Sequence, residues 1–252
     1  MASTTAAALD ATRGDMSAVL PNRYSRRWFD TFLEPMPGER TAAEIDGVMR
    51  ALPLPDFRRL LDVCCGPARH AAQLVERGYD VTGVDRDAGA IAVAGRRAPR
   101  ARFVELDQRR IAEVGGVFDA AMILWHSFGY FDAATNDAIL AQLAGLLRHR
   151  GRLLVDLYNP AWFEAHAGRQ PPFPHTGASA TNRPLGDNRW RVDIEYADGS
   201  AERFEWELFT PDELARRARS FHAVALLSQW QPRRTLSADD QRYQLVLERA
   251  PV

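Results

Sequence analysis

Between residues 58 and 158, short apolar runs alternate with stretches of helical spacing, the pattern of βαβ units that build a mainly parallel sheet. Arg59 to Cys64 predicts a first strand, Ala68 to Arg77 a helix, and Gly78 its end. Val81 to Asp85 predicts the second strand, an alanine-rich helix then runs through residue 97, and Pro99 follows it. Arg102 to Glu105 is the expected third strand. Phe118 to Leu124 is the fourth, apolar enough to be buried on both faces. Asn136 to Leu147 has apolar positions three and four apart and ends in basic residues and Gly151, which predicts an amphipathic helix. Arg152 to Tyr158 is the fifth strand.

The rhythm then breaks. Residues 159 to 189 carry five prolines and three glycines, which predicts a long ordered loop or lid with no regular element. Arg191 to Tyr196 and Ala201 to Leu208 alternate around Asp198-Gly199, as in a hairpin. Pro211 to Arg219 predicts a helix, with Thr210 as its cap and Glu213 completing a capping box. His222 to Trp230 and Gln241 to Glu248 predict two terminal strands. These elements divide the chain into an N-terminal tail and lid helices (1–57), a core (58–158), a substrate-side insertion of loop and hairpin (159–210), and a C-terminal part that completes the core sheet (211–252). Residues 1 to 20, with no sustained apolar stripe, are expected to be a frayed tail.

Composition narrows the chemistry. The chain has 252 residues, 46% of them hydrophobic, and its 32 basic residues are all arginine. The lack of lysine excludes a pyridoxal Schiff base, a Walker phosphate loop and a kinase-type lysine, each of which needs a primary amine. A formal charge of -1 gives no overall field toward nucleic acid or an anionic membrane. The two cysteines, Cys64 and Cys65, are adjacent, so they neither staple a distant loop nor make a zinc site by themselves. The longest apolar run, Ala120 to Trp125, is strand-sized. Ser25 to Phe29 has twin arginines, but Asp30, Glu34 and Pro35 stand where an export signal needs an apolar segment. A cytoplasmic location is therefore expected, with no membrane partner.

The informative site is Leu61-Asp62-Val63-Cys64-Cys65-Gly66-Pro67-Ala68-Arg69-His70. A strand that enters a turn of small residues and then a helix lets backbone amides approach a ligand at the carboxyl edge of the sheet. The next strand ends in Asp85, about twenty residues beyond Asp62, where a carboxylate can accept hydrogen bonds from both ribose hydroxyls. Loop and carboxylate together point to an adenosine ligand. A dinucleotide fingerprint would need glycine where Cys64 and Arg69 stand.

With small residues at alternate positions after an acid (Asp62, Cys64, Gly66, Ala68), the chain resembles the class I S-adenosylmethionine-dependent methyltransferases. It is most similar to the small-molecule branch with a Cys-Cys-Gly-Pro-x-Arg-His loop, the segment Gly78 to Asp85, and Ser-Phe-Gly-Tyr-Phe at Ser127 to Phe131. The resemblance runs from about Arg40 to Tyr158 and resumes near Phe209. It implies an α/β Rossmann-like fold whose seven-stranded sheet is mostly parallel, with an antiparallel C-terminal strand and a small antiparallel insertion after the fifth. It also implies S-adenosyl-L-methionine as cofactor, S-adenosyl-L-homocysteine as product, and a small-molecule acceptor. Cys64 and Ala68 replace two of the usual glycines, and because both carry a Cβ, neither is expected at positive φ.

The same likeness implies residue roles. The backbone of Cys64, Cys65, Gly66 and Ala68 would face the methionine part of the cofactor, with Asp62 ordering the loop. Asp85 would hold the ribose, with Arg86 beside the adenine. Asp107 and Gln108 would read the adenine edge through a side-chain carboxylate and a backbone amide, the alternative for Asp107 being a cap of the helix that follows. Leu124, Trp125 and His126 would lie beside the transferable methyl. Tyr24, Trp28, Arg40 and Thr41 are candidate lid residues, and Arg69 is either a ligand contact or a solvated surface group.

His126, directly after the fourth strand, is either a general base or a structural histidine; Tyr130, Tyr158 and Asp156 are the other candidates. No resident metal is expected, since nothing in the spacing enforces a cluster of His126, Asp156 and Asn159. His166 and His175 belong to the breaker-rich loop and are expected to be exposed. Leu124-Trp125-His126-Ser127 lacks the Asn/Asp-Pro-Pro-aromatic segment of enzymes that methylate exocyclic amines of bases or glutamine. A natural-product acceptor is the leading expectation, in a monomer or homodimer. The alternatives are a protein or RNA methyltransferase using an arginine patch near Arg216, Arg217 and Arg219, a non-catalytic cofactor-binding protein, and a nicotinamide oxidoreductase.

Overall fold

A computed structural model describes residues 22, 24–33, 35–174, 176–233 and 235–251. The tail expected at 1–20 and His175 lie outside the described residues. The chain forms two compact units: Met36–Phe163 with Leu208–Val252, and Glu164–Glu207 with the chain through Pro35.

In chain order the elements begin with the short helix α1 (Arg26–Trp28), followed by a π turn at Phe29–Leu33, and α2 (Gly38–Ala51). Next come β1 (Arg59–Val63), α3 (Arg69–Glu76), β2 (Asp80–Asp85), α4 (Ala88–Arg97), β3 (Arg102–Glu105), a 3-10 segment at Gln108–Val114, and β4 (Phe118–Ile123). Then follow α5 (Ala133–Leu146), β5 (Leu147–Tyr158), α6 (Pro160–Ala165), β6 (Gly168–Arg169), β7 (Ser179–Gly186), β8 (Arg189–Glu195) and β9 (Ala201–Glu207). The chain ends with α7 (Pro211–Arg217), β10 (Phe221–Ser228), β11 (Gln231–Pro232) and β12 (Arg242–Arg249).

The larger unit is built on an eight-stranded sheet in the order β11-β10-β12-β5-β4-β1-β2-β3. Strands β1 to β5 run parallel, while β12 pairs antiparallel with β5 and with β10. The expected sheet had one strand fewer; the addition is the two-residue β11, which folds back on β10 through a left-handed pair, Gln229 and Trp230. Each face of the sheet buries a core of its own. Leu61, Val63, Ala121 and Ile123 join Ile139 and Leu143 of α5 on one side. Leu60, Ala120 and Met122 join Ile45 and Val48 of α2 and Leu74 of α3 on the other. The alternation along β1 and β4 therefore feeds both layers, as expected of strands covered on two sides. Truncating a fully buried leucine such as Leu143 or Leu74 to alanine is worth about 2 to 5 kcal/mol.

Gly151 plays a different part from the helix stop expected of it. β5 already pairs from Leu147, and a Cβ at Gly151 would meet the carbonyl oxygens of Arg148 at 2.8 Å and Asp119 at 3.0 Å. Glycine is kept there by a close backbone approach.

The smaller unit holds a four-stranded antiparallel sheet, β6-β7-β8-β9. The hairpin around Asp198-Gly199 forms as expected. The breaker-rich stretch, expected to hold no regular element, contains α6, β6 and β7, with Pro184 inside β7. β6 pairs only with Thr181 and Asn182, so Pro184 lies where β7 has one open edge and its missing N–H costs no ladder bond on that side. Trp190, Val192, Ile194, Phe204 and Trp206 are buried in this unit, and Asn22 bonds to β9 through Arg203 and Glu205.

Candidate functional site

The turn after β1 owes its shape to three left-handed residues: Cys64 (φ 60°), Gly66 (φ 52°) and Ala68 (φ 63°). The expectation that the Cβ of Cys64 and Ala68 would keep them out of this region is thus overturned. The alternate-small-residue pattern marks a real conformational demand, and the two non-glycine residues meet it at a strain of order 1 to 2 kcal/mol each. Neighbouring bonds hold the strain in place. Cys65 N–H donates to the Val84 carbonyl (2.9 Å), Gly66 N–H to Asp85 Oδ2 (2.9 Å), and Ala68 N–H to the Cys65 carbonyl (3.1 Å).

Asp85 therefore orders the turn. Its Oδ1 accepts from Asp87 N–H at 2.9 Å, and each oxygen keeps a further lone pair for another donor. Burial holds its pKa above the ordinary carboxylate value. Asp62, 3% exposed, has no hydrogen-bond partner for its Oδ2. Burial first and the Asp85 charge second raise its pKa to about 8 against a partial offset from Arg69, so it is protonated at neutral pH. Burial also pushes both thiols up, leaving Cys64 and Cys65 as packing groups whose backbone matters. Cys65 lies against Gly83, where an added Cβ would reach its Sγ at 2.9 Å.

Beside this turn stands a polar network around Trp125. Glu44, on the buried side of α2, accepts from Trp125 Nε1 (3.1 Å), Arg69 Nη1 (2.7 Å) and His70 Nε2 (2.8 Å), and Arg40 lies 3.5 Å away. Burial alone would raise the Glu44 pKa; the bond from His70 and the charge of Arg69 outweigh it and bring it down to about 2. Burial holds His70 below its ordinary value, so a neutral ring donates Nε2–H to an ionised Glu44. Arg69 also donates to Thr41 Oγ1 (2.7 Å). The guanidinium carbons of Arg40, Arg242 and Arg69 lie 4.7, 4.7 and 5.0 Å from the Trp125 ring centroid.

Trp125 and His126 are themselves left-handed, at φ 56° and 58°. Asp156 on β5 fixes this turn: its Oδ2 accepts from Trp125 N–H (3.0 Å) and its carbonyl from His126 N–H (2.9 Å). Asp156 is in turn held by Arg242, through Nε at 3.1 Å and through Nη2, and by Gln244 Nε2 at 3.0 Å. Consecutive strained residues at a strand's carboxyl end, clamped by a buried ion pair, are the kind of backbone found at functional sites.

His126 is 2% exposed, and its Nδ1 accepts from Tyr158 N–H at 3.2 Å. That bond puts the proton of the neutral ring on Nε2, and burial, helped by Arg242, keeps the pKa well below the usual imidazole range. A ring with its proton on Nε2 is a donor there, so the general base envisaged for His126 does not fit this geometry. The Tyr158 ring packs against that ring, centroids 4.7 Å apart and tilted by 48°, and Tyr130 is half-buried beside Phe131. Leu124 and Phe128 are core side chains.

After β3, Asp107 caps the 3-10 segment through Arg109 N–H (2.9 Å) and pairs with the Arg109 guanidinium at 3.0 and 2.7 Å. The capping alternative is the one realised. Gln108 is buried, and its Oε1 has no partner. Arg86 is exposed. Tyr24 and Trp28 belong to the smaller unit, where their rings lie 4.8 and 6.4 Å from Phe204. Among the described residues no group of three His, Cys, Asp or Glu side chains is placed to hold a metal, and no helix is long and apolar enough to cross a membrane. Asn159 is held away from that role by its own bonds: its Oδ1 accepts from Ala161 N–H at 3.2 Å and its Nδ2 donates to the Ser237 and Asp240 carbonyls.

Sequence reasoning placed His70 in the motif without a role and missed Glu44, Arg242 and Gln244. Of these three, Glu44 left a local trace, an acid among Thr41, Ile45 and Val48 on the apolar face of α2.

Residues 60–151 match the family model described as a methyltransferase domain. A putative methyltransferase of Bacillus subtilis is 31% identical over 111 residues, 42% of this chain and 44% of that protein. The chain spans about half the length of such first curated relatives. A dTDP-3-amino-3,6-dideoxy-alpha-D-glucopyranose N,N-dimethyltransferase of Streptomyces fradiae is 28% identical over 202 residues, covering 79% of this chain and 75% of that protein. Among solved structures, the S-adenosylmethionine-bound amino pentose methyltransferase CalS10 of Micromonospora echinaspora superposes with a TM-score of 0.67 at 21% identity, over 92% of this chain and all of the other. The residues present fit such a cofactor. Two buried acceptor atoms, on Asp62 and Gln108, lack donors, and the cofactor carries an ammonium and an adenine amine.

Proposed function

We propose, for a chain that carries a methyltransferase domain on the class I S-adenosylmethionine-dependent fold, that it methylates a small-molecule acceptor, and that the acceptor atom is an amine nitrogen in natural-product tailoring. The observation that carries the cofactor half of this reading is the strained turn bonded to Asp85, with the donor-seeking Asp62 buried beneath it. When bound, S-adenosylmethionine supplies an electrophilic methyl on a sulfonium sulfur and leaves as S-adenosylhomocysteine.

The chain's own residues bind and align. Gly66 and its neighbours offer backbone to the methionine part, Asp85 offers lone pairs to the ribose, and Asp62 offers a carboxyl oxygen to the ammonium. Arg40, Arg69 and Arg242 outnumber Glu44 and Asp156 by one charge around Trp125, a balance that suits a carboxylate. Alignment of two reactants is worth about 7 to 11 kcal/mol and is the main service such a site provides.

The nitrogen assignment rests on two supports. His126 is a donor at Nε2, and an amine attacks as its free base and sheds a proton only afterwards, so no base need act during bond formation. The relatives named for aminosugar acceptors point the same way. The test is incubation with methyl-labelled cofactor and panels of amine, phenol and carboxylate acceptors, read by mass spectrometry. Label moving to an amine panel supports the reading, and label moving only to oxygen or carbon acceptors overturns the nitrogen assignment. Stable binding of the cofactor with no transfer to any panel would leave a binding protein in place of an enzyme.

A further inference from the structure

We propose that Gln244 is a positioning residue: it carries the place of α2 through Asp156 to the turn at Trp125 and His126, and so holds that turn in the shape methyl transfer needs without itself meeting a substrate. This rests on the function proposed above, in which the turn borders the transferable methyl. The antiparallel register sets Gln244 of β12 directly opposite Asp156 of β5, and side chains opposite one another in such a pair share a face of the sheet. Asp156 there accepts four side-chain hydrogen bonds, as many as an ionised carboxylate has places for. Arg242 grips both oxygens, Oδ1 through Nε at 3.1 Å and Oδ2 through Nη2, so its fork does not choose between them. Gln244 Nε2 takes the second place on Oδ1 at 3.0 Å, which leaves the second place on Oδ2 to Trp125 N–H at 3.0 Å. The amide thus decides which oxygen the turn receives.

Gln244 is 3% exposed, and the other end of its amide is engaged as well: Oε1 accepts from Trp230 N–H at 3.0 Å. Trp230 and its neighbour Gln229 are left-handed, at φ 62° and 49°, in the turn between β10 and β11. A bulky residue keeps such a conformation only where its surroundings over-determine it. Here α2 does so. The Trp230 ring lies on the bare backbone of Gly47, where an added Cβ would come within 2.2 Å of the ring, and the Trp230 carbonyl accepts from Arg50 Nη2 at 3.3 Å. Glycine inside a helix is unfavourable by itself, and the seated indole explains it at this position. Glu44, about one turn before Gly47 on the same helix, accepts from Trp125 Nε1 at 3.1 Å. Both N–H groups of Trp125 are therefore tied to α2, the indole directly through Glu44 and the backbone through Asp156, Gln244 and Trp230. Gln244 is the side chain of the longer route that can be changed without removing a charge.

The experiment compares the full chain with Gln244→Leu, with Gln244→Glu, and with the exchanged pair Gln244→Glu and Asp156→Asn, which again sets an amide opposite a carboxylate. The readouts are backbone hydrogen exchange by mass spectrometry, titration calorimetry with S-adenosylhomocysteine, and turnover of methyl-labelled S-adenosylmethionine on the amine panel. Each single variant should exchange the amides of Trp125 and His126 about tenfold faster, the worth of one hydrogen bond, while β1 and β2 stay protected as in the wild type. Its kcat should fall about tenfold, with the affinity for S-adenosylhomocysteine and the KM for S-adenosylmethionine within about twofold of wild type. The exchanged pair should recover both protection and turnover, which guards against a single variant that merely fails to fold. Unchanged protection at Trp125 in Gln244→Leu, exchange that rises evenly over the whole sheet, or full turnover from a loosened turn overturns the assignment. Wild-type protein that moves no label, with the exchange results as expected, would instead sink the function reading and leave the hold of Gln244 on the turn standing.

Discussion

Replacing Asp62 with asparagine should make the ligand-free protein more stable, even though the residue lies at the centre of the proposed cradle. An ordinary aspartate titrates at 3.8, whereas burial and the charge of Asp85 raise Asp62 to about 8. At pH 7 the unfolded chain holds this carboxylate ionised and the folded chain holds it protonated, so folding must take up a proton. At about 1.4 kcal/mol for each pH unit between 3.8 and 7, the cost is about 4 kcal/mol. Because the folded value is raised, the stability is fully present below 3.8 and is lost as pH rises toward 8, at about 1.4 kcal/mol per unit. Asparagine has nearly the same shape and no charge to neutralise. Urea denaturation of both proteins at pH 5, 7 and 8.5 should show curves that converge at the acidic end and separate as pH rises, with the variant the more stable. Calorimetry should show the variant binding S-adenosylhomocysteine less tightly, because the carboxyl that meets its ammonium is gone. A variant as stable as wild type at every pH, or less stable at pH 7, would refute the reasoning.

Glu44→Gln leaves Arg69 and Arg40 without their counter-charge and should cost about 3 kcal/mol at pH 7. The stability Glu44 contributes is present above its ordinary value of 4.5 and is lost as pH falls toward 2, so acid titration of the two proteins should converge; parallel curves would count against the network. Ala68→Gly should gain about 0.5 kcal/mol, since relief of a left-handed Cβ exceeds the added freedom of the unfolded chain, and a loss of more than about 1 kcal/mol in thermal unfolding would contradict the strain argument. Turnover should show no acid limb near pH 6.5 attributable to His126, whose ring is held neutral; a limb there that vanishes in His126→Asn would restore the general base. Asp85→Ala should weaken cofactor binding by tenfold or more, the order expected for hydrogen bonds to a charged group, and unchanged affinity in calorimetry would remove the ribose assignment.

The sequence by itself determined the order of elements from β1 to β5 and the place of the turn after β1, because both are local, but not α6, β6, β7 or β11. A strand reads as an apolar run, a capping box as Thr210 with Glu213, and the turn after β1 as small residues between two strand-end acids. It also placed Asp62, Asp85 and the pair Asp107 and Gln108 at the carboxyl edge, since a parallel sheet aligns successive strand ends. What each group does there was decided by neighbours that no spacing reveals. Whether Cys64 and Ala68 turn left-handed depends on bonds from the turn to Val84 and Asp85, one strand away. Which oxygen after β3 is spoken for depends on the fork of Arg109. The proton of His126 is placed by the amide of Tyr158, and the shape of Trp125 and His126 by Asp156 with Arg242 and Gln244 behind it. Hydrophobic period is a property of a segment and survives in one dimension. The pairing of charges and lone pairs is a property of a few ångströms of space, and only the folded sheet brings α2, β5 and β12 to the same tryptophan.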